Sequence, residues 1–158
     1  MSSTILIIGA TVGAYIAPHN LPSQFAEESN LHLALLHADV KYVVRITTNA
    51  EVLSPTNPVF YGRAHWAIEN LLSQPEFKDL QWTSLQPNFF TISHLALVAD
   101  WVKKYRETGG TANDVGNVGA HLLALDDPSP YNHGRYIVSG PEDITGKDLV
   151  KLPRKLQV

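Results

Sequence analysis

The sequence predicts an α/β fold with a mostly parallel sheet and flanking helices. Two observations predict it. Short β-branched runs alternate with longer segments of helical period along the chain. Several of those runs are apolar on both alternations, as strands covered on both faces are.

The elements follow in order. Residues 4–8, TILII, read as a doubly buried strand. Residues 14–17 are long enough for a very short strand, and Pro18 and Pro22 forbid a helix across the stretch after it. A helix is expected over 23–38, with Leu31, Ala34, Leu35 and Ala38 on its inner face. Asp39 marks a turn, and 41–47, KYVVRIT, read as a second buried strand. After a loop with Pro55 and Pro58, residues 60–73 form a strong helix with Ala64, Ile68, Leu71 and Leu72 inward. Residues 80–86, LQWTSLQ, make a strand ending at Pro87. A longer helix is expected over 92–107, stopped by Gly109-Gly110. Val115, Val118, Leu122 and Leu125 give a further helical stripe, closed by Asp126-Asp127-Pro128. A strand at 135–139 and a short helix from Gly146 finish the chain, with Thr145 and Asp148 near the spacing of a capping box.

Composition narrows the function. The chain has 158 residues, 44% of them hydrophobic and 17% charged, which suits one folded domain over 1–158. A net charge of −3 leaves no basic footprint for nucleic acid or an anionic membrane, so neither is expected as a partner. With no cysteine, disulfides, thiolate nucleophiles and cysteine-based zinc sites are excluded. The N-terminal apolar run is too short to span a bilayer and lacks the features of a secretory signal, so a cytoplasmic location is expected. The seven histidines lack the HExxH spacing or a paired carboxylate, and no metal site is expected. Neither a GxSxG elbow nor a P-loop occurs.

Two stretches could carry chemistry. In Gly9-Ala10-Thr11-Val12-Gly13 a turn follows an apolar run, as at a dinucleotide loop. Such a loop needs a glycine for the tight turn, one for phosphate approach and one for helix packing, and then a helix whose N-terminus meets the pyrophosphate. Here no glycine stands between Gly9 and Gly13, and the helix is missing, so an ordinary strand–turn remains the other reading. In Tyr61-Gly-Arg-Ala-His65 a phenol and an imidazole share one helix face. They could act together in proton transfer, or be a packing tyrosine beside a surface histidine. Trp66, Trp82 and Trp101 lie on regular elements and are expected to pack.

The runs TILIIGAT, VKYVVRIT, YGRAHWAIENLL, LQWTSLQPNFF and HGRYIVSGPEDITGKDLV, in that order, resemble the NmrA-like family of atypical short-chain dehydrogenase/reductase proteins, and fungal members most. The resemblance implies a Rossmann-like fold that binds NADP or NAD and a small-molecule substrate, in secondary metabolism. It implies cofactor contacts at Gly9, Ala10, Thr11 and Gly13, and at Pro87, Asn88 and Phe89 near the nicotinamide. Tyr61 and His65 would be catalytic, with His65 where many members carry lysine. The chain departs from the family in two places. Gly13 runs almost directly into AYIAPHN, the end of a later family strand, so part of the N-terminal nucleotide-binding half is missing near 12–14; a smaller gap falls near 110–114. Removing those units would expose an edge on the 4–8 strand, which could join the path of Tyr15-Ile16 or be covered in a homodimer, or else leave the chain poorly folded. The functions implied are an NAD(P)-dependent oxidoreductase or, alternatively, a non-catalytic NAD(P)-sensing regulator or a truncated, inactive member.

Overall fold

The computed structural model describes residues 5–6, 13–88 and 112–139. Within them the order is β1 (Ile5–Leu6), β2 (Gly13–Ile16), α1 (Gln24–His37), β3 (Tyr42–Ile46), α2 (Phe60–Leu72), β4 (Gln81–Pro87), α3 (Ala112–Leu123) and β5 (Gly134–Val138). The expected helices over 92–107 and from Gly146, and Trp101, lie outside the described residues.

One sheet runs β1-β2-β3-β4-β5. β2 to β5 are parallel, with Gly13 beside Tyr42, Tyr42 beside Gln81 and Leu85 beside Tyr136. This is the expected α/β arrangement, a Rossmann-like parallel sheet flanked by helices. The exception is β1, which pairs antiparallel to β2 through Ile5–Ile16 and Leu6–Tyr15. The sequence suggested that 4–8 could share a path with Tyr15-Ile16; instead the chain reverses. Chain length decides this. A parallel neighbour needs a crossover of about a dozen residues, and only 7–12 lie between β1 and β2.

The alternation of β3 divides the core. Val43 faces α1 and α2, where it packs with Ala14, Ile16, Leu35, Ile68, Leu72 and Trp82. Tyr42 and Val44 face α3 with Leu85, Val115 and Leu122. Covering both faces is what a parallel sheet requires. Trp82 is fully buried, as expected; His133 stacks on its ring at 5.2 Å, and the Arg135 guanidinium lies 5.3 Å from the ring centroid.

Both helices on the first face are turned relative to the expected stripes. On α1 the buried residues are Gln24, Glu28, His32 and Leu35, while Leu31 only borders the core. On α2 they are Gly62, His65, Ile68, Glu69 and Leu72. Polar side chains go inward here because they find partners inside. α1 ends as the sequence suggests: Asp39 takes a left-handed φ of 59°, and the N–H of Val40 closes on Leu35 O at 3.0 Å. Among the described residues no helix is long and apolar enough to cross a membrane.

Two glycines of α3 separate propensity from packing. A Cβ on Gly116 meets nothing within 4 Å, whereas one on Gly119 would sit 2.1 Å from Tyr15 Cε2. Urea denaturation should find Gly116→Ala stabilising by about 0.5–1 kcal/mol, the ordinary helix preference for alanine. Gly119→Ala should be destabilising in spite of the same preference; a neutral result there would contradict the packing of α3 on β2.

Candidate functional site

Open parallel sheets take ligands outside the carboxyl ends of their strands. At that crest lie the β2–α1 loop, the β3–α2 loop, the start of α2 and the end of β4. Tyr61, in the first turn of α2, is partly exposed there. Pro87 closes β4, and the next residue, Asn88, accepts from Asn49 Nδ2 at 3.2 Å and donates its N–H to Val138 O at 3.1 Å. The crest loops are thereby tied to each other and to β5.

His65 lies one turn below Tyr61, with the rings 6.5 Å apart and nearly perpendicular. The shared face is as expected, but the imidazole is no surface group: it is 2% exposed. Arg45 Nη2 lies 3.1 Å from its Nδ1. A guanidinium only donates, so Nδ1 is the acceptor and Nε2 carries the hydrogen, which points to Asn20 Oδ1 at 3.2 Å. Burial first, and then the Arg45 charge, push its pKa down to about 3. At neutral pH His65 is therefore an uncharged brace between α2, β3 and the β2–α1 loop. It has no imidazolium proton to give at neutral pH.

Behind His65 runs a buried charge network. Arg45, fully buried on β3, donates from Nε and Nη2 to Glu28 Oε1 at 2.9 and 2.7 Å. Its Nη1 lies 3.6 Å from Glu69 Oε1, and Glu69 Oε2 accepts from Arg135 Nε on β5. Gln24 Nε2 donates to Glu28 Oε2 at 3.2 Å. Burial raises the Glu28 pKa, but Arg45 outweighs it, with help from His32, and the carboxyl is held at about 2. His32 is fully buried 3.5 Å from Glu28, and desolvation lowers its pKa. Sequence reasoning passed over this network. Its one signal was Arg45 itself, a charge inside KYVVRIT; a strand buried on both faces cannot carry an arginine without an acid to meet it.

The glycine turn fares differently. Gly9, Ala10, Thr11 and Phe89 lie outside the described residues. Gly13 opens β2, where a Cβ would come within 2.6 Å of Leu123 Cδ2 and 3.1 Å of Tyr42 O. It is a packing glycine under α3. Because β1 is antiparallel, β1 ends and β2 begins at the amino edge of the parallel strands, opposite the crest. Of the helices that begin at the crest, α1 opens after Ser23 without a glycine and carries Glu27 and Glu28, and α2 has Gly62 in its first turn, where a Cβ would meet Val52 O at 2.3 Å. A dinucleotide pyrophosphate needs free N–H groups and a glycine there, not two carboxylates. The start of α1 offers a dinucleotide pyrophosphate no glycine cradle, and the cofactor role implied for Gly13 is a proposal.

One hollow opens beside the end of β2. It encloses about 120 Å³ between Ile16, Ala17, Pro18 and His19 on one side and Gln24, Glu27, Glu28 and Leu31 on the other.

Among solved structures the fold is similar to a nucleoside-diphosphate-sugar epimerase from Staphylococcus aureus, with a TM-score of 0.64 and 16% identity. The match covers 90% of this chain and 52% of the epimerase, so the chain spans about half of that relative's length. The likeness is one of fold. No family model matches the chain, and no curated protein matches it.

The network gives the fold an acid limit. His65 has a folded pKa of about 3 against 6.5 ordinarily, so between those values the unfolded chain binds the extra proton and stability falls as pH falls. Glu28 adds a second loss from 4.5 down towards about 2. Urea midpoints should show a loss on the order of 2 kcal/mol between about pH 7.5 and pH 5. His65→Gln should be less stable at the higher pH but lose less on acidification.

Proposed function

We propose that this chain is an NmrA-like protein of the NAD(P)-dependent oxidoreductase type, acting on a small organic molecule at the carboxyl crest of its sheet. The setting the resemblance implies is fungal secondary metabolism. The observation that carries the reading is the crest of four parallel strands, which holds both a partly exposed Tyr61 and the tied Asn49–Asn88 pair. NADP or NAD, when bound, supplies hydride chemistry. Pro87, Asn88 and Phe89 are the residues proposed to meet its nicotinamide end.

What the chain's own residues do is narrower. The Tyr61 hydroxyl is the group proposed to give a proton to a substrate oxygen. His65, neutral and hydrogen-bonded to Arg45, braces the helix that carries Tyr61. Asn88 and Asn49 offer amide groups that orient a polar substrate.

A second reading is favoured by a specific observation. The reversed β1 and the buried His65 fit a member that has left catalysis, either a non-catalytic NAD(P)-sensing regulator or a truncated, inactive form. NADPH titration followed by nicotinamide fluorescence separates the readings. Saturation in the micromolar range, with reductase turnover that Tyr61→Phe lowers by about 10²–10⁴-fold, supports the oxidoreductase. Saturation without turnover supports the regulator. No saturation at high micromolar NADPH leaves the inactive form.

A further inference from the structure

We propose that a single water molecule is bound inside the core over Ser84 of β4, where it links Arg45 Nη1, Glu69 Oε1 and Ser84 Oγ. The site stands apart from the oxidoreductase reading, since it needs neither a dinucleotide nor Tyr61.

The sheet register brings the three groups together. Arg45 on β3 lies beside Ser84 on β4, and Ser84 lies beside Arg135 on β5. All three share the face that α1 and α2 cover. Ser84 stands two residues on from Trp82, which packs on that face, and Glu69 of α2 meets both arginines. Glu69 reaches towards Arg45 with Oε1 and holds Arg135 with Oε2. The two arginines stand on the strands that flank β4, each about 4.8 Å from it. The carboxylate that spans them therefore lies above Ser84.

Each group facing this point lacks a partner. Arg45, Glu69 and Ser84 are buried, and among the described residues their Nη1, Oε1 and Oγ have no hydrogen-bond partner. The other Arg45 donors are committed, Nε to Glu28 and Nη2 to Glu28 and His65. Nη1 and Glu69 Oε1 lie 3.6 Å apart, too far for a hydrogen bond. A guanidinium only donates, a carboxylate only accepts and a hydroxyl does either. Water satisfies all three: it accepts from Nη1, donates to Oε1 and has capacity left for Ser84 Oγ. A cation is repelled by Arg45 and an anion by Glu69. One oxygen at roughly 2.8 Å from each end bridges the separation, which sets the size of the ligand.

The rival is a direct Arg45–Glu69 ion pair, closed by a small shift. It leaves the Ser84 hydroxyl orphaned in the core, whereas buried polar atoms are ordinarily paired, with ordered water where the protein supplies no partner. The bound water also completes one hydrogen-bonded path from His65 through Arg45 and Glu69 to Arg135, which is half-exposed on β5.

A high-resolution crystal structure of the full chain, paired with urea unfolding of Ser84→Ala, tests the site. The expected density is one water within about 2.6–3.2 Å of Nη1, Oε1 and Oγ. Ser84→Ala should lower the urea midpoint by roughly 0.3–0.7 M, because the water loses one of its partners. In the direct ion pair the same change removes an orphaned hydroxyl, and the midpoint holds or rises. No water at that point, or a Ser84→Ala midpoint at or above that of the unaltered protein, would overturn the proposal.

Discussion

A single guanidinium holds the described part of this molecule in register. Arg45 is fully buried on β3 and meets Glu28 of α1, His65 of α2 and, at longer range, Glu69 of α2. Glu69 passes the connection to Arg135 on β5. The charges alternate in sign along this path, and that alternation is what makes ions tolerable inside a core. The cost of desolvating them is high, so removing any one leaves its neighbour unpaired in a low dielectric. The polar faces of α1 and α2 follow from this. They turn Gln24, Glu28, His65 and Glu69 inward, and the apolar residues beside them pack around the network rather than defining the interface. The crest inherits its geometry: the α2 turn bearing Tyr61 and the β2–α1 loop bearing Asn20 are both anchored through His65.

The second constraint is the length of chain before β2. In a dinucleotide fold the first strand is followed by a helix, and the pair of glycines serves the phosphates. Here the connection is too short to cross over, so β1 turns back on the sheet edge. Gly13, the last letter of the cofactor-like loop, then opens β2 at the amino edge of the sheet. At the crest stand the starts of α1, with two carboxylates, and of α2. Direction of a strand, rather than identity of its residues, decides which end of the sheet Gly13 serves.

Much of the fold was legible in the sequence. The helices over 23–38 and 60–73 and the strands over 41–47, 80–86 and 135–139 match α1, α2, β3, β4 and β5 within a residue or so, because periodicity and proline or glycine stops are local properties. The inward faces were harder. Ile68 and Leu72 were read correctly, but His65 and Glu69 were not, since a buried polar residue is stabilised only by partners far away in sequence, such as Arg45 and Arg135. The direction of β1 was equally hidden from residue type, though it was implicit in the shortness of 7–12. Of the candidate site, the Tyr61–His65 face was legible from spacing. The state of His65 was not, because pKa depends on burial and on a guanidinium from another element.

The account rests on the coupling of Arg45 to Glu28, and a double-mutant cycle measures it. Arg45→Met and Glu28→Gln would be made singly and together, and unfolding followed in urea at neutral pH. Each single change should cost about 3–5 kcal/mol, because each strands a buried polar group or charge. The double variant should lose far less than the sum, with a coupling of about 1.5 kcal/mol or more. Additive losses would mean that the two side chains do not act as a pair, and the network would not be what sets the helices and the crest.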